Sequence, residues 1–212
     1  MALTDLSHTV EDGLVTYRGL PAPIICDYLS REAADGADLS ELSLSVLAEI
    51  PATLVRVGKA VPIIDESWFD ERDIAGRAVL IQTDWSRHWN TEAYYEGHPY
   101  LTAPAAIVLR DQGARLVGID SYNIDDVEDG TRPVHTALLG AGIPIVEHLC
   151  NLDRLPPDGF KFSAVPVKVK GFGTFPVRAY AAVPELRARH ARRSMAYPRY
   201  ALRVATTRPA RH

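Results

Sequence analysis

The chain has few cysteines and no long apolar run, and each of these restricts the classes of protein to which it can belong. Its two cysteines, Cys26 and Cys150, form no Cys-x-x-Cys pair, so we expect free thiols in a cytoplasmic protein. The uninterrupted apolar runs are short, as in residues 103–109, which predicts no transmembrane span. The first residues, MALTDLSHTVEDG, carry early acids and no apolar stretch, which predicts no secretory signal.

A strong excess of charge of one sign is also missing from the chain as a whole. The net charge of −4, with 47% hydrophobic and 24% charged residues, is typical of a soluble globular protein and does not favour nucleic acid or a membrane as partner. Residues 184–212 differ, because they hold eight arginines and one acid. We expect a domain over residues 1–183 followed by a basic, disordered or loosely docked tail, with a nucleic-acid-binding arm as the alternative.

Strand and helix signals alternate along the first 183 residues, which predicts a mixed α/β fold. Thr102 is expected to cap a helix over residues 103–112, with Gly113 just past its end. A second, short helix is predicted over residues 134–139. The strand-like runs are residues 53–57, 78–83, 116–119, 143–149, 160–168 and 176–183.

His135 and Glu147 lie twelve positions apart in the segment RPVHTALLGAGIPIVEHLCNL. An imidazole and a carboxylate are the groups that a divalent metal site or a proton-transfer site needs. Taken alone, His135 is more typical of a core or capping histidine. Glu147, however, lies in an apolar run where a carboxylate is costly to bury without a partner, which favours a functional role. His148, the next residue, is predicted to point to the opposite face of a strand.

Two polar loops are further candidates for a site. Residues 84–100 include Trp85, His88 and several other aromatics, which suits either the wall of an aromatic-substrate pocket or a loop packed by its own side chains. His88 and His98 are ten residues apart, a spacing that only weakly indicates a metal. The loop GIDSYNIDDVEDG crowds five acids and fits a cation site less well than a solvated acidic turn; these are Asp120, Asp125, Asp126, Glu128 and Asp129.

Together these motifs resemble the cyclase / kynurenine formamidase-like family of metal-dependent hydrolases. The resemblance extends over most of residues 3–183 and is carried by DLSHTVEDG, DWSRHWNTEAYYEGHPYLT, GIDSYNIDD, RPVHTALLGAGIPIVEHLCNL and FSAVPVKVKGFGTFPVRAYA. It implies a swivelling β/α-type fold in a single domain, usually as a homo-oligomer. It also implies hydrolysis of an amide, formamide or cyclic amide C–N bond in a small-molecule substrate.

The resemblance further implies roles for individual residues. His135 and Glu147 match two family ligands of a divalent metal, Zn or Mn. Tyr17, in VTYRG, matches a position where the family often has an aromatic against the substrate. Trp85 and His88 would complete the wall of the substrate pocket with it.

One part of the family pattern is missing from this chain. The signature is a His-or-Asn, Thr-Gly-Thr, His-or-Tyr, x-Asp, x-Pro, x-His run, which supplies further ligands and the general base. In relatives it precedes a segment like residues 34–42, which here follows directly on CDYLSREA, so the run is interpreted as deleted at about residues 32–35. Catalytic zinc normally has three protein ligands. Two hypotheses therefore stand: a metal-dependent amide hydrolase, and a catalytically inactive relative that acts as a binding or interaction protein.

Overall fold

The computed structural model describes residues 38–58 and 61–184. None of the helices in these residues is long and apolar enough to cross a membrane. Cys150 is an exposed free thiol, as predicted. Several predictions fall outside the described residues, namely those on Tyr17, Cys26, the deletion at residues 32–35 and nearly all of the basic tail.

The strands of the described residues form one large sheet and one small one. The large sheet has six strands. Four neighbouring strands run parallel to one another, and the two strands at one end are each antiparallel to the neighbour before them. The ranges are β1 Ile50–Arg56, β2 Ile63–Ile64, β3 Ala78–Gln82, β4 Tyr100–Leu101, β5 Leu116–Ile119, β6 Ile145–Val146, β7 Phe160–Ser163 and β8 Tyr180–Ala182. The order in the large sheet is β6-β5-β3-β1-β7-β8, and β2 pairs with β4 in parallel.

Two α-helices follow the predicted boundaries closely. Helix α1 spans Ala103–Asp111 and α2 spans Pro133–Leu139. The Thr102 hydroxyl accepts the N–H of Ala105 at 3.3 Å, which confirms the predicted cap. Short 3₁₀ turns span Leu39–Glu41, Leu44–Val46, Glu66–Phe69, Trp85–His88, Glu92–Tyr94 and Leu152–Arg154.

The centre of the sheet is buried on both faces, as expected for parallel strands between two layers. All five residues of β3 and all four of β5 are buried. Helices α1 and α2 cover one face through an apolar core that includes Ile81, Leu109 and Leu138. The other face packs Leu80 against Leu149 and the β7 phenylalanines. The fold is therefore the mixed α/β arrangement that the sequence predicted.

Three strands are shorter than their sequence patterns predicted. The run at 143–149 is a strand only over β6, because the chain turns into the left-handed region at His148, where φ is 60°. The run at 160–168 ends after β7, ahead of Pro166, which has no N–H to donate to a ladder. The run at 176–183 pairs only over β8. In each case the sequence pattern that predicted a strand is longer than the segment that pairs in the sheet.

Candidate functional site

The candidate site lies where parallel strands of the sheet end. The carboxyl ends of β3, β5 and β6 lie at one edge, because all three strands run in the same direction. Ligand sites of open α/β sheets form outside these ends. The segments that follow the three strands here begin at Thr83, Asp120 and Glu147, and each contributes polar side chains.

His135 and Glu147 come together at this edge, as the sequence predicted. His135, in the first turn of α2, is 8% exposed, and its Nε2 lies 3.7 Å from Oε1 of Glu147. The same carboxylate oxygen accepts the N–H of Ile124 at 2.8 Å. The loop after β5 thereby holds the glutamate toward the imidazole. The two residues, twelve positions apart in the sequence, are thus in contact in the fold. The role of the pair as metal ligands stays a prediction.

Asp125 fixes the orientation of His135. It is 2% exposed and accepts the N–H groups of Val134 and His135 at 2.6 and 3.0 Å. Its Oδ2 is also 2.6 Å from Nδ1 of His135. Burial alone would raise the pKa of Asp125, but the hydrogen bonds from His135 and from the start of α2 lower it below its ordinary value. The ionised carboxylate accepts a proton from Nδ1, so that in a neutral imidazole the lone pair is on Nε2, the nitrogen on the side of Glu147.

The acidic loop contains two kinds of carboxylate, and only one kind was anticipated. Asp126 and Asp129 form turns by accepting N–H groups of Glu128 and Thr131, as expected for a solvated acidic turn. Asp125, by contrast, is buried against His135, so the interpretation of it as part of that turn was wrong. No pattern in the sequence marks the difference, because the partner of Asp125 lies ten residues away on a helix.

Asp120 is the second buried carboxylate of this loop. It is 1% exposed and accepts the backbone N–H and the hydroxyl of Thr83 at 2.7 and 2.6 Å, and the N–H of Asp84 at 2.9 Å. Burial raises its pKa, although the Thr83 and Asp84 hydrogen bonds oppose that shift. Asp120 thus ties the end of β3 to the end of β5, and it was also wrongly assigned to the solvated turn.

The aromatic loop packs beside Glu147 and His148. Tyr94 is 2% exposed, and its hydroxyl is 2.9 Å from Nδ1 of His148. The rings of Trp89 and Tyr122 pack edge-on against Tyr94, with centroids 5.2 and 5.8 Å away. Trp89 is 60% exposed, so this aromatic cluster of Trp89, Tyr94, Tyr122 and His148 keeps an open side. The loop is packed by its own rings, which is one of the two interpretations left open by its sequence. The other, the wall of an aromatic-substrate pocket, stays a prediction.

The predicted pocket residues Trp85 and His88 lie on the 3₁₀ turn after β3. Their rings pack against one another at an interplanar angle of 52°, with centroids 4.6 Å apart. The indole N–H of Trp85 donates to the backbone oxygen of Tyr94 at 3.0 Å, which attaches this turn to the aromatic cluster. Their contact with a substrate stays a prediction.

His148 was expected to face away from the site, and the reason for that expectation is wrong. Strand β6 ends at Val146, so the alternation of side chains does not extend to His148. A left-handed backbone at His148, with φ of 60°, turns its exposed ring onto Tyr94 and Trp89. Asp84 and Arg132, at two other chain turns of this edge, also have positive φ, of 62° and 47°. Such backbone conformations often mark functional sites.

The His135–Glu147 pair fits two ligands of one divalent ion. Two ligands about 2.0–2.1 Å from a tetrahedral zinc lie roughly 3.3–3.5 Å apart, close to the observed 3.7 Å. A metal-bound histidine usually donates its other ring N–H to a carboxylate, which is the arrangement of Asp125. The residues described by the structure contain no group of three or more metal-ligating side chains. Among them His98 is buried and directed at Ser121 and Pro99.

Comparison with known proteins shows which proteins this chain is similar to. The family model described as "Putative cyclase" matches residues 50–126. A solved structure described as a potential metal-dependent hydrolase with cyclase activity is 29% identical, with a TM-score of 0.60, over 68% of this chain and 70% of that one. Isatin hydrolase A from Ralstonia solanacearum shares the fold at 24% identity, with a TM-score of 0.62, over 70% of this chain and 65% of its own.

Sequence relatives narrow the assignment. Kynurenine formamidase from Geobacillus thermodenitrificans is 29% identical over 146 residues, which is 68% of each chain. The enzyme of that name from Sphingopyxis alaskensis is 33% identical over 123 residues, 52% of this chain and 58% of its own length. The chain is thus similar to the cyclase / kynurenine formamidase-like family, as its motifs predicted. The family-model match includes Asp125 but ends before His135 and Glu147.

Proposed function

We propose that the protein is a metal-dependent hydrolase of an amide C–N bond in a small molecule, with a formamide as the preferred class of substrate. The observation that carries this proposal is the Asp125–His135–Glu147 arrangement, which presents an imidazole nitrogen and a carboxylate oxygen 3.7 Å apart at the carboxyl edge of the sheet. The formamide class is supported by the relatives named kynurenine formamidase.

Hydrolysis of an N-formyl amine needs few groups from the protein. The oxygen of water forms a bond to the formyl carbon, the C–N bond breaks, and the nitrogen receives a proton, which yields formate and an amine. His135 and Glu147 would hold Zn or Mn, and Asp125 would keep His135 in the ligating tautomer. When bound, such an ion supplies Lewis-acid activation of water and of a carbonyl oxygen. A third protein ligand is not among residues 38–58 and 61–184.

Other features of the proposal rest on the resemblance alone. Tyr17, Trp85 and His88 are proposed as the wall of the substrate pocket. The division into a domain over residues 1–183 and a basic tail, the homo-oligomer and the cytoplasmic location also stay predictions. The inactive binding protein finds no support in the comparisons, whose relatives and structures carry hydrolase names.

The experiment that tests the function combines metal analysis with an amide assay on the purified full chain. We expect bound Zn or Mn and release of formate from an N-formyl arylamine, both lost on treatment with a chelator and restored by the metal. Glu147→Gln and His135→Ala should lose the metal and the activity. Glu128→Gln, which changes an exposed acid of the nearby turn, should keep both. A metal-free wild-type protein that releases no formate would instead establish the inactive relative.

A further inference from the structure

A cavity of about 710 Å³ lies at the edge of the sheet opposite to the candidate site. Its lining includes Ile50 and Pro51, at the start of β1, and Arg115, which directly precedes β5. Because β1 and β5 both run parallel to β3, this is the edge where the parallel strands begin. The candidate site lies where such strands end, and β1 alone, with its seven residues, is roughly 20 Å long. This space is called the amino-edge cavity below.

Hydrogen bonds at both ends hold one wall of the amino-edge cavity in place. This wall belongs to the segment over residues 38–49. At one end, the carboxylate of Asp38, which is 4% exposed, accepts the N–H of Gly171 at 3.0 Å. Near the other end, the backbone oxygen of Leu47 accepts the N–H of Ala164 at 2.8 Å. The wall is therefore ordered before a ligand binds, which lowers the entropic cost of binding.

The charges that line the cavity do not all neutralise one another. Lys161 pairs with Glu49 at 3.2 Å, and Lys168 has a partner as well. Arg115 and Glu41 take part in no ion pair within the part of the chain that the structure describes. Both are exposed to solvent. One guanidinium and one carboxylate in the same cavity are therefore available to a ligand.

A small molecule with both a carboxylate and an ammonium group matches these two side chains. A guanidinium holds a carboxylate through two parallel N–H···O bonds, and a carboxylate accepts N–H bonds from an ammonium group. A simple anion would leave Glu41 unpaired beside it, and a simple cation would leave Arg115 unpaired. Leu42, Leu44 and Ile50 add apolar surface to the lining. The volume is within the usual range of small-molecule sites, about 300–1,000 Å³.

We propose that the amino-edge cavity is a second binding site of this protein, which takes an α-amino acid with an apolar side chain. The carboxylate of the ligand binds Arg115, its ammonium group binds Glu41, and its side chain packs on Leu42 and Leu44. This site does not depend on the proposed amide hydrolysis, because its lining shares no residue with the candidate site. Since both charged side chains are exposed, we expect each to contribute about 10-fold to the affinity, the low end for hydrogen bonds to charged groups.

Three probes with the same carbon branching test the ligand class in NMR titrations of the ¹⁵N-labelled full chain. L-Leucine has both charged groups, 4-methylpentanoate lacks the ammonium group, and 3-methylbutylamine lacks the carboxylate. We expect L-leucine to bind with a Kd of about 1 mM or below, and each analogue to bind about 10-fold more weakly. An analogue that binds as tightly as L-leucine, or an L-leucine titration that shows no saturation by about 10 mM, overturns the proposal.

Substitutions assign the two charged groups separately. Arg115→Gln should weaken L-leucine binding about 10-fold and leave 3-methylbutylamine unchanged, whereas Glu41→Gln should weaken L-leucine equally and leave 4-methylpentanoate unchanged. Both positions are exposed, so both variants should fold like the wild type. The matched controls are Arg110→Gln and Glu66→Gln, at exposed positions outside the lining, which should bind L-leucine normally. Wild-type affinity for L-leucine in either cavity variant overturns the proposal.

The place of binding is read from the same spectra. The backbone amide shifts that L-leucine causes should be centred on residues 40–51 and on Arg115, which line the cavity. Shifts confined to residues 120–148 would place the amino acid at the candidate site and would overturn the proposal.

Discussion

Replacing Asp125 by Asn should weaken both the stability and the metal affinity of the protein. The carboxylate accepts three N–H groups, one from Val134 and two from His135, through its two oxygens. Asparagine has one acceptor oxygen and one NH₂ group. Whichever way the amide is placed, its NH₂ faces at least one of those buried N–H donors. If it faces Nδ1, the imidazole must carry its proton on Nε2, which removes the lone pair from the nitrogen on the side of Glu147.

The size of the effect follows from these contacts. A buried donor left unsatisfied costs about 1–3 kcal/mol, and losing a negative charge at the start of α2 costs about 0.3–1 kcal/mol more. The sum, roughly 1–4 kcal/mol, corresponds to a melting temperature lower by about 5–10 °C near the middle of the range for a chain of this size. Loss of the carboxylate partner of a metal-bound histidine typically lowers metal affinity by about 10- to 100-fold.

Two measurements separate these effects. Thermal unfolding of the metal-free protein reports the stability, and competition with a chelator well below the melting temperature reports the metal affinity of the folded protein. Glu128→Gln is the matched control, since that side chain is exposed on the same loop and its loss of charge should change stability by no more than about 0.5 kcal/mol. Equal melting temperatures and equal metal affinities for Asp125→Asn and Glu128→Gln would refute the role assigned to Asp125.

Three further predictions concern the fold and its pH dependence. Leu80→Ala should cost about 2–5 kcal/mol in denaturant unfolding, because Leu80 is fully buried in the central strand, whereas Val167→Ala at an exposed position should cost little. Thr102→Ala should cost about 0.5–2 kcal/mol in the same assay through loss of the α1 cap. Since the pKa of Asp125 is lowered in the folded state, its stabilisation should be complete above its unfolded pKa, near 3.8, and disappear as the pH falls through the lower folded value.

Each of these predictions has an outcome that contradicts it. A Leu80→Ala protein as stable as Val167→Ala would place Leu80 outside the core. An unchanged unfolding midpoint for Thr102→Ala would mean that the cap hydrogen bond makes no net contribution to the free energy of unfolding. A stability difference between wild type and Asp125→Asn that stays constant from pH 7 to well below pH 3.8 would show that the Asp125 carboxylate is not preferentially ionised in the folded protein.

The local sequence determined where the helices and strands form, and it identified His135 and Glu147 among the residues of the candidate site. Thr102 and Gly113 mark the ends of α1, because a cap and a left-handed glycine act over a few residues. His135 and Glu147 were found because their residue types are unusual within apolar segments. The resemblance to the family was predicted from the motifs alone, and the comparisons support it.

Only the tertiary structure decided which carboxylates belong to the site and where His148 points. Asp125 and Asp126 are neighbours in an acidic loop, yet one is buried against α2 and the other is half-buried and forms a turn with Glu128. That distinction depends on the packing of α2 beside the end of β5, which joins residues ten positions apart. His148 likewise turns onto Tyr94, 54 residues earlier, because β6 ends before the alternation reaches it. Residue types and short-range patterns set the elements, but burial and hydrogen-bond partners arise only when distant segments pack together.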